Sequence, residues 1–230
     1  MNFLQTQDFK NRNYLSKNHF LPDKITRHRI LTHPDIRMLL IIRDPKDMVV
    51  SYFFHEKRLS HSSPRTFFPW IVRGNTEFEQ FYWRQGRKQI RKMLKFLNAW
   101  TGVVPNLFIT SYELLHEDFH AELARMACFL NCNLTPADAC HLQERTSFRR
   151  FKNHSTTECS TQADHFFRKG QISDHKNYFT PAMVADADLI AGKMGMDVLV
   201  HQIDSARRSF RESHTDWMEE VSSRISETQS

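Results

Sequence analysis

The chain has 230 residues, of which 40% are hydrophobic, 12% aromatic and 25% charged, with only six glycines and eight prolines. That composition is globular, and the length accommodates one full-sized domain with a substantial core. Lys and Arg exceed Asp and Glu by six, which favours anionic partners: nucleic acid, a membrane surface, or a small phosphorylated or sulfated ligand. Four cysteines (Cys128, Cys132, Cys140 and Cys159) match neither a disulfide framework nor zinc-ligand spacing, so they read as reduced core or near-core thiols. The N-terminal stretch lacks the apolar core of a signal peptide, and no apolar run is long enough to span a bilayer. The cytoplasm is the default compartment.

Residues 1–18 are polar and poorly periodic, and 22–33 are mixed and basic. Arg37 to Ile42 (RMLLII) is a short apolar run suited to a strand buried in a parallel sheet. Asp44-Pro45 follows directly and Asp47 stands three positions on, the spacing of a capped helix whose apolar face carries Met48, Val49, Tyr52 and Phe53. The loop 61–74 is made apolar by Phe67, Phe68 and Trp70. Glu77 to Trp100 reads as a helix broken near Gly86, and its basic residues from Arg84 to Lys95 recur at helical spacing, the pattern of a solvated face. Asn106 to Thr110 is a second short strand. Helices are expected over Ala121–Leu130, Pro136–Glu144, Pro181–Lys193 and, in the tail, Ile203–Ile225. Strands alternating with helices predict one α/β domain. It would occupy 1–202, and 203–230 would be a C-terminal helix with a frayed end.

The stretch FFRKGQISDHKNYFT (166–180) carries the most specific chemistry. Arg168 offers a planar fork of donors, Lys169 a mobile charge, and Gly170 allows a close backbone approach. Thr180-Pro181 reads as a helix start. Upstream, Arg43 leaves the carboxyl end of a strand, where open α/β sheets bind ligands, and Ser51 follows two helical turns later.

These segments resemble, in order, those of the sulfotransferases that use 3′-phosphoadenosine 5′-phosphosulfate (PAPS). IIRDPKDMVVSY (41–52) is similar to the family's 3′-phosphate segment, with Arg43 and Ser51 at the matching separation. FITSYE (108–113) looks like the strand whose Tyr-Glu end lies beside the nucleotide, which puts Tyr112 next to the adenosine. Thr146-Ser147-Phe148 resembles the element bordering adenine and ribose. Arg168, Lys169 and Gly170 match the Arg-Lys-Gly loop that holds the 3′-phosphate. The resemblance implies a three-layer, P-loop-like fold with a central parallel sheet flanked by helices. It also implies sulfuryl transfer from PAPS to a hydroxyl or amine, with no metal.

The family's catalytic histidine sits in a Lys-Thr-His-Leu-Pro-like string. The match here is Lys17-Asn18-His19-Phe20-Leu21-Pro22, which makes His19 the implied general base and Lys17 a positive charge beside the sulfuryl group. Two departures stand out. The family's Pro-Lys-x-Gly-Thr/Ser phosphosulfate loop has no counterpart from Met1 onward, so the fold is expected to be truncated at its N-terminus. The usual Gly-Asp-Trp-Lys appears as Ser173-Asp174-His175-Lys176. The alternative is a catalytically impaired, sulfotransferase-derived nucleotide-binding or regulatory module. The aromatic loop 67–70 points to a small apolar or aromatic acceptor. Neither nucleic acid nor a membrane is expected as a partner.

Overall fold

The computed structural model describes residues 24–33, 35–62, 76–101, 104, 106–146 and 169–229. Helix α1 (Lys24–Thr32) precedes strand β1 (Met38–Ile42), which enters helix α2 (Pro45–Ser62) after two residues. The expected start of α2 is present: Asp44 Oδ1 accepts from the Lys46 amide at 2.7 Å, and Pro45 opens the helix. Asp47 departs from the expected capping box. Its carboxylate leaves the α2 terminus and reaches a loop more than a hundred residues away, described below.

Helix α3 (Thr76–Phe81), a π-helical turn (Tyr82–Gly86) and helix α4 (Arg87–Trp100) form one continuous rod. The break expected at Gly86 is thus a π-bulge. Gly86 has ordinary helical φ and ψ, so a glycine stands there for packing and not for its conformational freedom. A Cβ there would lie 2.9 Å from Val49 Cγ1 and 3.0 Å from Tyr82 Cδ2. Alanine normally stabilises a helix over glycine by up to about 1 kcal/mol. At this site the sign reverses: Gly86→Ala is expected to destabilise by about 1–3 kcal/mol through overpacking against α2, measured by urea unfolding.

Strand β2 (Leu107–Ser111) pairs in parallel with β1, from Met38 opposite Leu107 to Ile42 opposite Ser111. Helix α5 (Tyr112–Glu117) follows without a loop, capped by Ser111, whose hydroxyl accepts from the Leu114 amide at 3.1 Å. Helix α6 (Phe119–Leu130) ends on Asn131 in the left-handed region, and α7 (Pro136–Thr146) packs beside it. A 3₁₀ turn (Asp174–Asn177) leads to α8 (Pro181–Lys193), where Thr180 accepts from the Met183 amide as its sequence predicts. The tail, expected as one helix, is two: α9 (Met196–Ser213) and α10 (Thr215–Gln229), parted at His214. Among the described residues no helix is long and apolar enough to cross a membrane.

The core lies between β1, α2, the α3–α4 rod and α8. Phe53 packs edge-on against Phe78 and Phe81, and Phe179 closes on Tyr82 at 5.1 Å between ring centroids. Val49, Val50 and Ile90 are wholly buried. Two cysteine expectations are corrected. Cys128 and Cys132 are exposed, one on the solvent side of α6 and the other beyond its end, and Cys140 is half-buried. Cys159 lies outside the described residues.

A second polar cluster joins α9 to α6. Buried Glu122 binds Arg125 at 2.7 Å and accepts from Thr110 on β2, while Asp118 receives Arg207 at 3.0 Å and also Arg211. Buried charges need such pairing to be tolerated.

Candidate functional site

The site forms where β1 and β2 end. Arg43, one residue past β1, is held in three ways. Its Nη1 donates to Ser51 Oγ on α2 at 3.1 Å, and its Nη2 donates to the Gln171 carbonyl at 2.9 Å. Its guanidinium carbon lies 4.5 Å from the centroid of the Tyr112 ring, at the end of β2. Register places the two residues together: Ile42 faces Ser111 across the sheet, so the next residue of each strand emerges at the same height. Glu113 adds a cross-tie, its Oε1 accepting from the Asp44 amide at 2.9 Å.

Lys169 and Gly170 approach from the far side of the sequence. Gly170 adopts φ +63°, a conformation that favours glycine, and this turn delivers the Gln171 carbonyl to Arg43. Lys169 Nζ is 3.0 Å from Asp174 Oδ1 and 5.8 Å from the Tyr178 ring centroid, with its side chain about two-fifths exposed. The loop is fastened by Asp47. That carboxylate accepts from the Ser173 amide at 2.6 Å, the His175 amide at 2.8 Å and His175 Nδ1 at 2.8 Å, so the ring carries its proton on Nδ1. Arg43 Nη2 lies 3.9 Å from the same carboxylate.

Five of the sequence-predicted residues therefore meet: Arg43, Ser51, Tyr112, Lys169 and Gly170. Thr146 is not joined to them by any hydrogen bond; it is exposed at the end of α7, and its hydroxyl donates back to the Leu142 carbonyl of its own helix. Lys17, His19, Phe148, Arg168 and the aromatic loop 67–70 lie outside the described residues. Asp47 and Glu113 are the residues that sequence reasoning missed as site builders. Both lie inside the recognised segments, yet their partners are 126 and 69 residues away, beyond any local pattern.

Electrostatically the site pairs its charges and is partly buried: Arg43 and Lys169 stand beside the Asp47, Asp174 and Glu113 carboxylates. Burial pushes the Tyr112 phenol above its ordinary value, an effect that Arg43 opposes and that Glu113 and Asp47 reinforce. Lys46, on the outer side of α2, is lowered by burial, but Asp188 and Asp44 outweigh this and hold it above its usual range. Arg43 Nε is buried with no hydrogen-bond partner among the described residues. An unsatisfied guanidinium N–H, a second cation and a left-handed glycine on one rim fit a phosphate or sulfate group.

His175 and Ser173 stand where the family pattern has Trp and Gly. Ser173 has φ +59° and uses its amide, not its hydroxyl, to bind Asp47. Ser173→Gly is therefore expected to raise stability by about 0.5–1 kcal/mol, the left-handed penalty less glycine's extra entropy. A fall in the unfolding midpoint would show that the serine side chain supplies something else.

The sulfotransferase domain profile matches residues 5–197. The chain is 28% identical over 194 residues to sulfotransferase 1E1 of Homo sapiens, covering 80% of this chain and 62% of that protein. It is 26% identical over 165 residues to the 3-beta-hydroxysteroid sulfotransferase of Cavia porcellus, covering 67% and 54%. The chain thus spans about half to six-tenths of the length of these curated relatives. Two solved structures share the fold. One is mouse sulfotransferase SULT7A1 complexed with PAP, with a TM-score of 0.54 at 19% identity over 77% of this chain and 63% of that one. The other is retinol dehydratase in complex with androsterone and inactive cofactor PAP, with a TM-score of 0.50 at 22% identity over 70% and 48%. With the family profile matched over most of its length, and with strand-end arginine, helix serine and glycine loop gathered at one rim, the chain belongs to the sulfotransferase domain family.

Proposed function

We propose that this chain binds the 3′-phosphate end of PAPS and transfers its sulfuryl group to a hydroxyl or amine of a small acceptor. The observation that supports the reading is the Arg43 junction, where one guanidinium ties β1, α2 and the 169–175 loop together and its Nε has no partner among the described residues. Arg43, Ser51 and Lys169 would hold the phosphate, with Arg168 and the Gly170 amide from the adjoining loop. Tyr112, stacked on Arg43, offers a flat face beside which a purine fits. Bound PAPS would supply an activated sulfuryl group with a good leaving group. The protein's share is orientation and charge stabilisation, since sulfuryl transfer, like phosphoryl transfer, demands in-line geometry. His19 takes the acceptor's proton in this reading, and Lys17 adds positive charge near the sulfur.

The acceptor is proposed to be an apolar or aromatic alcohol, by analogy with a relative named for hydroxysteroids and by the aromatic sequence of 67–70. Two measurements test the reading together. Calorimetry with 3′-phosphoadenosine 5′-phosphate (PAP) should show binding, and radiolabelled sulfate should pass from PAPS to members of a phenol, hydroxysteroid and sugar panel. His19→Ala is expected to slow transfer by about 100- to 10,000-fold while leaving PAP affinity intact. Transfer at the unmodified rate would place the base elsewhere. PAP binding without transfer to any acceptor would make the chain a nucleotide-binding module.

A further inference from the structure

The net charge of the chain is concentrated in one place. The segment 84–100 holds six cations (Arg84, Arg87, Lys88, Arg91, Lys92 and Lys95) and no Asp or Glu. Without those six, 26 basic residues face 26 acidic ones, so the rest of the chain is formally neutral. The sequence pattern alone reads as a solvated helix face. The structure adds that five of the cations are not neutralised by any described residue. Arg84, Lys88, Arg91, Lys92 and Lys95 are all exposed, and among the described residues none of them makes an ion pair. Three nearby carboxylates are engaged, Asp186 by Arg87 and Tyr82, Asp188 by Lys46, and Glu77 by Lys57, whereas Glu79, exposed four residues before Trp83, makes no ion pair among the described residues.

Arg84, Lys88, Arg91 and Lys95 follow one another at three- and four-residue spacing, with Lys92 beside Arg91, opposite the face that buries Ile90, Leu94 and Leu97. They make a straight ridge about 16 Å long. Trp83 is 40% exposed at its start, under the Arg87 guanidinium at 5.4 Å, and Leu189 is 55% exposed one turn along α8 from Asp186. Cations with an exposed Trp at one end have the composition of a headgroup-level contact. The packing of α4 disfavours other polyanions. With α2 and α8 packed along its sides, the helix is not free to enter a DNA groove about 12 Å wide. The ridge also lacks the interleaved aromatics on which single strands stack.

We propose that the outer face of α4, with Trp83 at its end, docks on anionic phospholipid headgroups and holds the protein at a membrane surface. The site at Arg43 is not part of this contact, so the inference is independent of the proposed activity. Each Lys or Arg at an anionic surface contributes roughly a five-fold gain in partitioning.

The test is sedimentation of the full chain with phosphatidylcholine vesicles, alone or with about 30% phosphatidylserine, at low and high salt. Binding is expected only to the anionic vesicles and is expected to weaken as salt rises. The triple variant Lys88→Gln/Arg91→Gln/Lys95→Gln should lose about 100-fold in partitioning with its circular dichroism and PAP affinity unchanged. A control triple variant at exposed cations elsewhere, Lys24→Gln/Arg145→Gln/Arg208→Gln, should bind as the parent does. Equal binding to neutral vesicles, equal losses in the two variants, or tighter binding to duplex DNA or a heparin oligosaccharide at the same salt would each overturn the proposal.

Discussion

Arg43→Ala is expected to weaken PAP binding by at least about 100-fold, the largest effect of any single substitution on ligand affinity in this chain. The reasoning is cumulative. The side chain supplies a charged partner for the phosphate, worth roughly 1.5–3 kcal/mol when its hydrogen bonds are charge-assisted. It also positions two other parts of the rim, because Ser51 and the Gln171 carbonyl are fixed through its two terminal nitrogens. Arg43→Lys separates these contributions. A lysine keeps the charge but cannot span Ser51 and Gln171 with a planar fork or stack flat on Tyr112. It should therefore recover only part of the loss, leaving binding about ten-fold weaker than the parent's. Titration calorimetry reads both values. An Arg43→Lys chain that binds as tightly as the parent would mean that the guanidinium is a structural tie and the phosphate sits elsewhere.

The second large effect is on stability. Asp47→Ala is expected to cost about 3–5 kcal/mol, a large part of a typical domain's margin. Asp47 is 1% exposed, and its two oxygens satisfy the Ser173 amide, the His175 amide and the His175 ring. Alanine would strand all three donors in a site from which water is largely excluded, and each stranded buried group carries its own desolvation penalty. Hydrogen exchange at the Ser173 and His175 amides distinguishes this from a general loss of packing: those two should lose protection before the α2 core does. Uniform loss across α2 and α8 would instead make Asp47 a core residue with no special hold on the loop.

Much of the fold was legible because its signals are local. The RMLLII run marked β1, Asp44-Pro45 and Thr180-Pro181 marked two helix starts, and Gly86 marked the bulge. The physical meaning of Gly86 was not legible, since the reason for a missing Cβ is a valine on another helix. The same limit explains Asp47, whose spacing from Asp44 mimics a capping box while its partners lie on a distant loop. Thr146 shows a purely local bond instead. A threonine in a helix's last turn has a local acceptor four residues back, and its hydroxyl takes that bond. The tail divides at His214, where the helix has no glycine or proline to announce the break. His214 stacks on Phe210 at 4.0 Å there, a ring contact that no periodicity encodes.

The pairing of β1 with β2 has a consequence for when the ligand site comes into being. The two strands lie 69 residues apart in sequence, and parallel pairing over that distance is a late and slow event in folding. A slip of one residue would turn Tyr112 to the opposite face of the sheet, away from Arg43. Nucleotide affinity would then be absent from every partly folded or misregistered form. Ligand would bind only chains that have completed the long-range pairing, and would draw the population toward them by mass action. The cofactor, in that sense, would act as an inspector of finished molecules as well as a reactant.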